Sequence, residues 1–327
     1  MNHHKILIIT EQCDKSADKV CQWLYHWRKD FVRLNENESV NMPITIVFEN
    51  GNNETFIQVK GKKIPLSKVG TTWFRRGYVK CKSLGFIPKL SSKTNDSIAK
   101  YLENEGSTLE GFFYHIVCKK QSINHPNSYN YNKLIALQEA QKLGLNIPPT
   151  IVSVDSNLLR KFTDDNGGCI SKSIQDLMGI AVKGMYAFTG KTMRVNREDI
   201  HPRNHWYSLF QKEITKKYEI RVFYFLKKIY AMAIFSQMDE ESSLDFREVD
   251  VNGNHPNRMV PFTLPGDVAS KIRKLMKNLR LESGSLDFIV TPDDEYYFLE
   301  VNPVGQFDFL NEICNYHIEK FIAKSIS

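Results

Sequence analysis

SLDFIVTPDDEYYFLEVNPVGQFDFL, from Ser285 to Leu310, reads as two apolar strands joined by the turn PDDE. Asp287 lies on the first strand, and Glu300 and Asn302 lie on the second. Two residues apart on a strand, Glu300 and Asn302 point to the same face, and Asp287 can oppose them across the turn. Phe288, Ile289, Phe298, Leu299 and Val301 flank them, so at least one side of the hairpin is buried. Acidic groups placed there without a cation carry a heavy desolvation cost. Two carboxylates and an amide oxygen on one sheet face form a hard-oxygen set suited to Mg²⁺, with few protein ligands and room for phosphates. The plainer reading, a solvated polar face, fits the apolar flanks less well. Asn302-Pro303 ends the strand.

Upstream, FQKEITKKYEIRVFYF (Phe210 to Phe225) reads as a short strand bearing Gln211 and Glu213, a basic turn, and a strand with Glu219 and Arg221 at same-face spacing. A carboxylate beside a guanidinium can hold a sugar hydroxyl and a phosphate, although charged alternation is also common on exposed strands. Two lysines stand out. Lys133 opens an amphipathic helix, and Lys172 sits between Ile170 and Ile174 in CISKSI. A lysine in that setting either snorkels to the surface or holds a phosphate as a point charge.

Working outward, the first third reads as α/β. KILIIT (Lys5 to Thr10) is a strand, Ser16 to Trp27 a helix, PITIVFEN a strand, ETFIQVKGKKIPL a hairpin turning near Gly61, and TTWFRRG (Thr71 to Gly77) another strand. A helix from about Ser97 to His115 follows. SINHPNSYNYN (Ser122 to Asn132) is a boundary rich in Asn, Ser and Pro. The middle section holds a helix from Lys133 to Gly144, a second near Leu158 to Phe162, and two strands, GGCISKSI and GIAVKGMYAFTG. The last begins near Trp206 and contains YEIRVFYFLKKIYAMAIFSQ, a hairpin turning near Lys227-Lys228, then a helix from Asp267 to Leu281 and the hairpin quoted first. These divisions give sections of 1–121, 122–206 and 207–327.

The 327 residues are 42% hydrophobic and 25% charged, the balance of a globular, enzyme-sized chain that buries a core without disulfides. The net charge of +7 is spread along the whole length, too diffuse to argue for nucleic acid. The six cysteines form no CxxC pair, which points to free thiols in a reducing compartment. The apolar run from Ile6 to Ile9 is too short for a signal peptide, and no stretch approaches a membrane span. A soluble, cytoplasmic protein without membrane or nucleic-acid partners is expected.

The order of these pieces, an NK-helix, a strand lysine, a QxE…ExR hairpin, a DxR and a D…ExN, resembles that of the ATP-grasp ligases. NYNKLIALQEAQKLGLNIPPTIVS, TTWFRRG, KYEIRV, LDFR and the opening hairpin are similar, more narrowly, to the graspetide synthetases. These are peptide ligases of the microviridin and grasp-with-spasm types, which close ω-ester and ω-amide macrocycles. ILIITEQCDKSADKVCQWLYHW extends the resemblance over essentially the full length. It implies an α/β (α+β) ATP-grasp fold with an N-terminal pre-ATP-grasp domain (1–121), a central lid domain with leader-peptide binding (122–206) and a C-terminal mixed-sheet catalytic domain (207–327). It implies ATP and Mg²⁺, a precursor peptide with a leader and an acidic core as partner, and it allows a homodimer. Residue by residue, it implies that Lys133 and Lys172 hold phosphates, that Gln211, Glu213 and Ile214 border the adenine, and that Glu219 binds the ribose. Arg221 would stabilise phosphate and the acyl phosphate, Asp287, Glu300 and Asn302 would bind Mg²⁺, and Asp245 and Arg247 of LDFR would meet a core-peptide carboxylate. In one respect the chain departs from many ATP-grasp ligases: SIQDLMGIAVKG, after the strand lysine, is poor in glycine, which leaves the residues covering the phosphates unassigned.

The expected chemistry is transfer of a γ-phosphoryl group to a side-chain carboxylate, followed by attack of a hydroxyl or amine on the acyl phosphate. Both partners lie on one peptide, so the second step is intramolecular. Two other readings fit the same residues: an ATP-grasp ligase acting on free amino acids or adding glutamate to a protein tail, and a non-catalytic peptide-binding module. The pair TTWFRRG and GQFDFL favours the macrocyclase, and the intact Asp287/Glu300/Asn302 set favours an enzyme.

Overall fold

The computed structural model describes residues 4–39, 42–81, 92–126, 131–175, 192–201, 206–235 and 257–327. Among them the chain forms four sheets. The first is parallel, with β1 (Lys5–Thr10) between β2 (Phe31–Asn35) and β6 (Val69–Phe74), and β7 (Gln121–Ile123) beyond β6. The unbroken run Ile6–Ile9 fits a strand covered on both sides. Ile6 and Ile8 enter one core cluster, while Leu7 and Ile9 enter another. Helix α1 (Lys15–His26) follows β1, its N-terminus capped by the Asp14 carboxylate, which accepts from the amides of Ser16 and Ala17. The short α2 (Glu36–Ser39) comes next.

β3 (Ile44–Glu49), β4 (Asn52–Val59) and β5 (Lys62–Pro65) form a separate antiparallel sheet, so PITIVFEN pairs with the following hairpin and stays out of the parallel sheet. The helix expected from Ser97 to His115 is α3 (Ser92–Val117), and α4 (Lys133–Lys142) runs into Gly144, whose φ of 75° is the left-handed conformation that ends helices. β8 (Thr150–Ser153), α5 (Ser156–Asn166), β9 (Cys169–Lys172), β10 (Met193–Val195) and β11 (Ser208–Lys212) make a small sheet in the order β10-β9-β11-β8 with one helix on it. The strand expected in GIAVKGMYAFTG lies outside the described residues.

The last sheet is antiparallel: β12 (Tyr218–Phe225), β13 (Lys228–Phe235), β14 (Arg258–Phe262), β15 (Ser283–Val290) and β16 (Tyr296–Asn302), in the order β14-β13-β12-β15-β16. The β12–β13 turn falls on Leu226 and Lys227, both at positive φ, one residue before the expected place. On one face Ile220, Val222, Leu286, Phe288, Val290, Phe298 and Val301 pack under α4 and α6 (Gly266–Asn278). On the other, Phe223, Phe225, Met232 and Ile234 join Ile6, Ile8 and Trp73 of the parallel sheet, together with α7 (Asp308–Cys314) and α8 (Ile318–Ile326). The N-terminal and C-terminal sheets therefore share a core.

The β15–β16 pairing contains one irregularity. Phe288 pairs with Phe298, but Asp287 pairs with Glu300, so Leu299 has no partner. This is a β-bulge. In an unbroken ladder Glu300 would share a face with Phe298 and point into the apolar core. The extra residue reverses the alternation, so Phe298 and Val301 both face the core while Glu300 and Asn302 join Asp287 on the opposite side.

Deleting Leu299 should therefore leave a regular ladder in which Glu300 still opposes Asp287 and Val301 still faces the core, at a cost of about 1–2 kcal/mol. Deleting Val301 instead must turn Glu300 or Asn302 into the core and should cost more than about 3 kcal/mol, or abolish folding. Urea unfolding of the two deletions checks this, and equal losses would contradict the role given to the bulge.

Candidate active site: a row of alternating charge

Register places Arg221, Asp287 and Glu300 side by side on adjacent strands. Lys133, the first residue of α4, reaches the end of the row: its ammonium lies 3.1 Å from Glu300 Oε2. Asn132 caps that helix, its side-chain oxygen accepting from the amides of Leu134 and Ile135, and so fixes where Lys133 leaves the backbone. Arg221 Nη1 lies 2.7 Å from both oxygens of Asp287. The four side chains thus alternate in sign, +, −, −, +, with the two carboxylates adjacent and a cation at each end. Arg221 and Asp287 are 8% and 7% exposed. In so dry a place an unpaired carboxylate is costly, and the flanking cations offset that cost.

Two residues along β12, Glu219 is also buried and pairs with the equally buried ammonium of Lys216. Asn302 sits beside the row, opposite Ser285. Its side-chain oxygen accepts the amide of Val304 at 3.0 Å, which orients it and leaves one lone pair. Two carboxylates and one amide oxygen on one face match the hard-oxygen preference of Mg²⁺ and supply fewer ligands than its octahedron needs, so phosphate oxygens would complete it. Among the described residues no group of three or more His, Cys, Asp or Glu side chains gathers.

Glu213 and Ile214 fall in the segment after β11, which ends at Lys212, not within the expected strand. Glu213 accepts a bidentate pair from Arg194 of β10. Gln211 is fully buried. Its amide nitrogen donates to Thr150 Oγ1 at 2.9 Å while its oxygen has no donor beside it. A buried acceptor without a donor carries a cost that an amino-bearing base would relieve. Lys172 ends β9, half-buried, opposite Leu209 of β11. The structure brings Lys133, Arg221, Asp287, Glu300 and Asn302 together, with Glu219 on the same face of β12. Gln211, Glu213, Ile214 and Lys172 belong to or adjoin the neighbouring sheet. Asp245 and Arg247 lie outside the described residues.

The sequence reading missed three participants. Lys216 is one of two lysines in a turn and nothing in TKKYE singles it out. Gly305 packs so closely that a Cβ there would stand 2.3 Å from Ser285 Oγ and 3.2 Å from Arg221 Nη2. A lone glycine after Asn-Pro was its only sign. Asn124, in the segment after β7, is buried at a φ of 60° and bonds to Glu282, Ser283 and Pro303. All six cysteines are free thiols. Among the described residues no helix is long and apolar enough to cross a membrane.

No protein-family model and no curated protein matches the chain. Solved structures do. A Chryseobacterium gregarium RiPP-associated ATP-grasp ligase, solved in complex with ADP and a leader and core peptide, is 28% identical, with 99% of this chain and 96% of that one covered at a TM-score of 0.84. The chain is an ATP-grasp ligase. The macrocyclase MdnC of Microcystis aeruginosa, bound with the precursor peptide MdnA, shares the fold at 24% identity, covering 98% and 99% of the two chains with a TM-score of 0.74. D-alanyl-alanine synthetase A of Vibrio cholerae shares it more distantly, at 12% identity over 100% and 98% of the chains with a TM-score of 0.58. The expected fold and the resemblance to RiPP-associated peptide ligases are thus borne out.

In this ligase the Arg221–Asp287 pair should be energetically coupled. Without nucleotide and with chelator present, Arg221→Met and Asp287→Asn should each destabilise the fold by about 2–4 kcal/mol, because each strands a buried polar partner. The double variant should lose at least about 1 kcal/mol less than the sum. Urea unfolding of the four proteins measures this, and additive losses would mean that the pair does not interact.

Proposed function

We propose that the ligase uses ATP to activate Asp or Glu side-chain carboxylates of a ribosomal precursor peptide and closes them onto Ser or Thr hydroxyls or Lys amines, forming macrocyclic ω-esters or ω-amides. The observation that carries this reading is the row Arg221–Asp287–Glu300–Lys133, buried at Arg221 and Asp287 and half-buried at Glu300 and Lys133, with Asn302 on the same face. It stands in a chain similar over almost its whole length to a ligase solved with ADP and a leader and core peptide.

In this reading Asp287, Glu300 and Asn302 hold Mg²⁺, which neutralises phosphate charge when bound. Lys133 and Lys172 bind phosphates as point charges. Lys133 and Arg221 already touch the two carboxylates, so both cations stand beside the place where the phosphates would lie. Gln211, Glu213 and Ile214 border the adenine, with the unpaired oxygen of Gln211 suited to its amino group, and Glu219 holds the ribose. A carboxylate oxygen of the peptide attacks the γ-phosphorus and ADP leaves. The hydroxyl or amine of the same peptide then attacks the acyl carbon, gives up its proton and expels phosphate, so each ring removes one water from the peptide. Preorganised cations at the transferring phosphoryl group are the main source of rate in such a site. We also assign residues 1–121, 122–206 and 207–327 to the N-terminal, central and catalytic domains, with the leader held by the central one, and place the enzyme in the cytoplasm.

Asp287→Asn and Glu300→Gln remove ligand charge while keeping shape. Each should reduce Mg²⁺-dependent product formation at least about 100-fold, read as the loss of 18 Da steps by intact mass spectrometry, in a protein that still folds. Wild-type ATP consumption by either variant in the presence of peptide would show the metal assignment to be wrong. Arg247→Ala should leave nucleotide affinity nearly unchanged and stop ring closure, whereas Arg221→Ala should impair both. Calorimetry beside mass spectrometry separates them, and normal ring closure by Arg247→Ala would make its role with Asp245 an ordinary surface pair.

A further inference from the structure

The four residues after Asn302 form a loop whose backbone oxygens are almost all held by side chains from elsewhere. Asn302 O accepts the amide of Gly305 at 3.1 Å. Pro303 O accepts from Asn124 Nδ2 at 3.1 Å. Gln306 O accepts from Ser285 Oγ at 3.4 Å. Val304 O receives two guanidinium groups, Arg75 through Nη1 and Arg76 through Nε at 3.3 Å. These two arginines stand just past the end of β6, in the TTWFRRG motif that the nucleotide and metal assignments leave without a role.

Arg75 is only 4% exposed. Its Nη2 donates to Ser16 Oγ at 3.2 Å, its Nε lies 3.6 Å from Asp14 Oδ2, and it stands over the Phe307 ring at 5.6 Å. Asp14 is itself the cap of α1 and accepts from Thr10 Oγ1. Arg76 is braced by Glu11. A water molecule or a serine would satisfy one carbonyl at far lower desolvation cost than two guanidinium groups. What the arginines add is rigidity and position: their forks are fixed by a helix cap and a strand end. The carbonyl they grip lies two residues from Asn302, whose own side chain is held by the Val304 amide. On the far side of that peptide, Gly305 lies against Ser285 and Arg221, with no space for a methyl group.

We propose that Arg75 and Arg76 are positioning residues for the metal and phosphate site. By clamping the Val304 carbonyl they fix the orientation of Asn302 and the seat of Arg221, so the N-terminal sheet sets the geometry of the catalytic one. The proposal rests on the reading of Asp287, Glu300 and Asn302 as Mg²⁺ ligands.

The test is calorimetric binding of ADP to the full chain over a series of MgCl₂ concentrations. Arg75→Gln and Arg76→Gln should each raise the Mg²⁺ concentration for half-maximal enhancement of binding by about 10-fold, the usual cost of losing an outer-shell partner of a metal ligand. Affinity without Mg²⁺ should change far less. Arg76→Lys, which keeps a cationic donor, should recover part of the shift. Gly305→Ala pushes the same loop from its other side and should raise the midpoint too, which keeps the test decisive if Arg75→Gln does not fold. Asp287→Asn is the control. If it shifts the Mg²⁺ dependence and the arginine and Gly305 variants lower only the melting temperature, the positioning role is overturned and the metal reading stands. If Asp287→Asn does not shift it either, the metal reading falls and the proposal falls with it.

Discussion

In a β-hairpin the side-chain period is two, so one residue absorbed as a bulge changes which sequence parity, even or odd, faces the core from that point onward. Leu299 is that residue. Between Tyr296 and Phe298 the strand β16 presents its even positions to the apolar core. After the bulge Val301 takes over that duty, and Glu300 and Asn302 turn to the opposite face. Every other feature of the site presupposes this exchange. Lys133 can reach Glu300 from the start of α4, Arg221 and Asp287 can meet without a core side chain between them, and α6 can pack on Phe288 and Phe298 without meeting a carboxylate. Bulges recur beside active sites because they re-aim a side chain without disturbing the sheet elsewhere.

Once the carboxylates share a face, their burial dictates what stands next to them. Two acidic groups at neighbouring register positions repel, and Asp287 is buried while Glu300 is half-buried. Cations on both sides resolve the conflict in the absence of ligands, and they are the groups whose charge and reach suit transferring phosphates. Stability and the proposed chemistry would therefore draw on the same side chains. A site with apolar neighbours in place of Arg221 and Lys133 would leave the acidic pair uncompensated, and a site without the acidic pair would leave a buried guanidinium and a half-buried ammonium without their carboxylate partners.

The sequence made the charged residues legible and left their arrangement hidden. Glu300 and Asn302 could be placed on one face because they lie two apart, a relation that any strand preserves. Their relation to Asp287 depended on a bulge, and the only trace of it was the adjacent apolar pair Phe298-Leu299 breaking the alternation. The fold was readable from periodicity where elements are amphipathic or fully apolar, as in KILIIT and YEIRVFYF. It was not readable where pairing is set by distant partners: PITIVFEN looks like any strand, and only its register with β4 removes it from the parallel sheet. β2, with Arg33 and Asn35 among its five residues, carries no strong strand signal and is held by pairing to β1. Tertiary context decides such cases. Lys216 and Asn124 were invisible for a similar reason, since their roles come from what they touch.

The shared core explains why residues far apart in sequence can hold one loop. Ile6, Ile8 and Trp73 of the parallel sheet pack with Phe223, Phe225 and Phe307 of the C-terminal part of the chain, all of them buried. Interiors packed to this density transmit position with little slack. The ends of β1 and β6 are thereby fixed relative to β12 and β15, and polar groups at those ends, Asp14, Arg75 and Arg76, can make directional bonds that a mobile interface would not sustain. An exposed arginine reaching across a gap would contribute little, because ordering its long side chain offsets most of the gain. Arg75 has been ordered already by Ser16, Asp14 and Phe307, so its bond to Val304 costs little further entropy. Apolar contact brings the two halves together, and the polar contacts at its edge then set the position of the backbone beside the site.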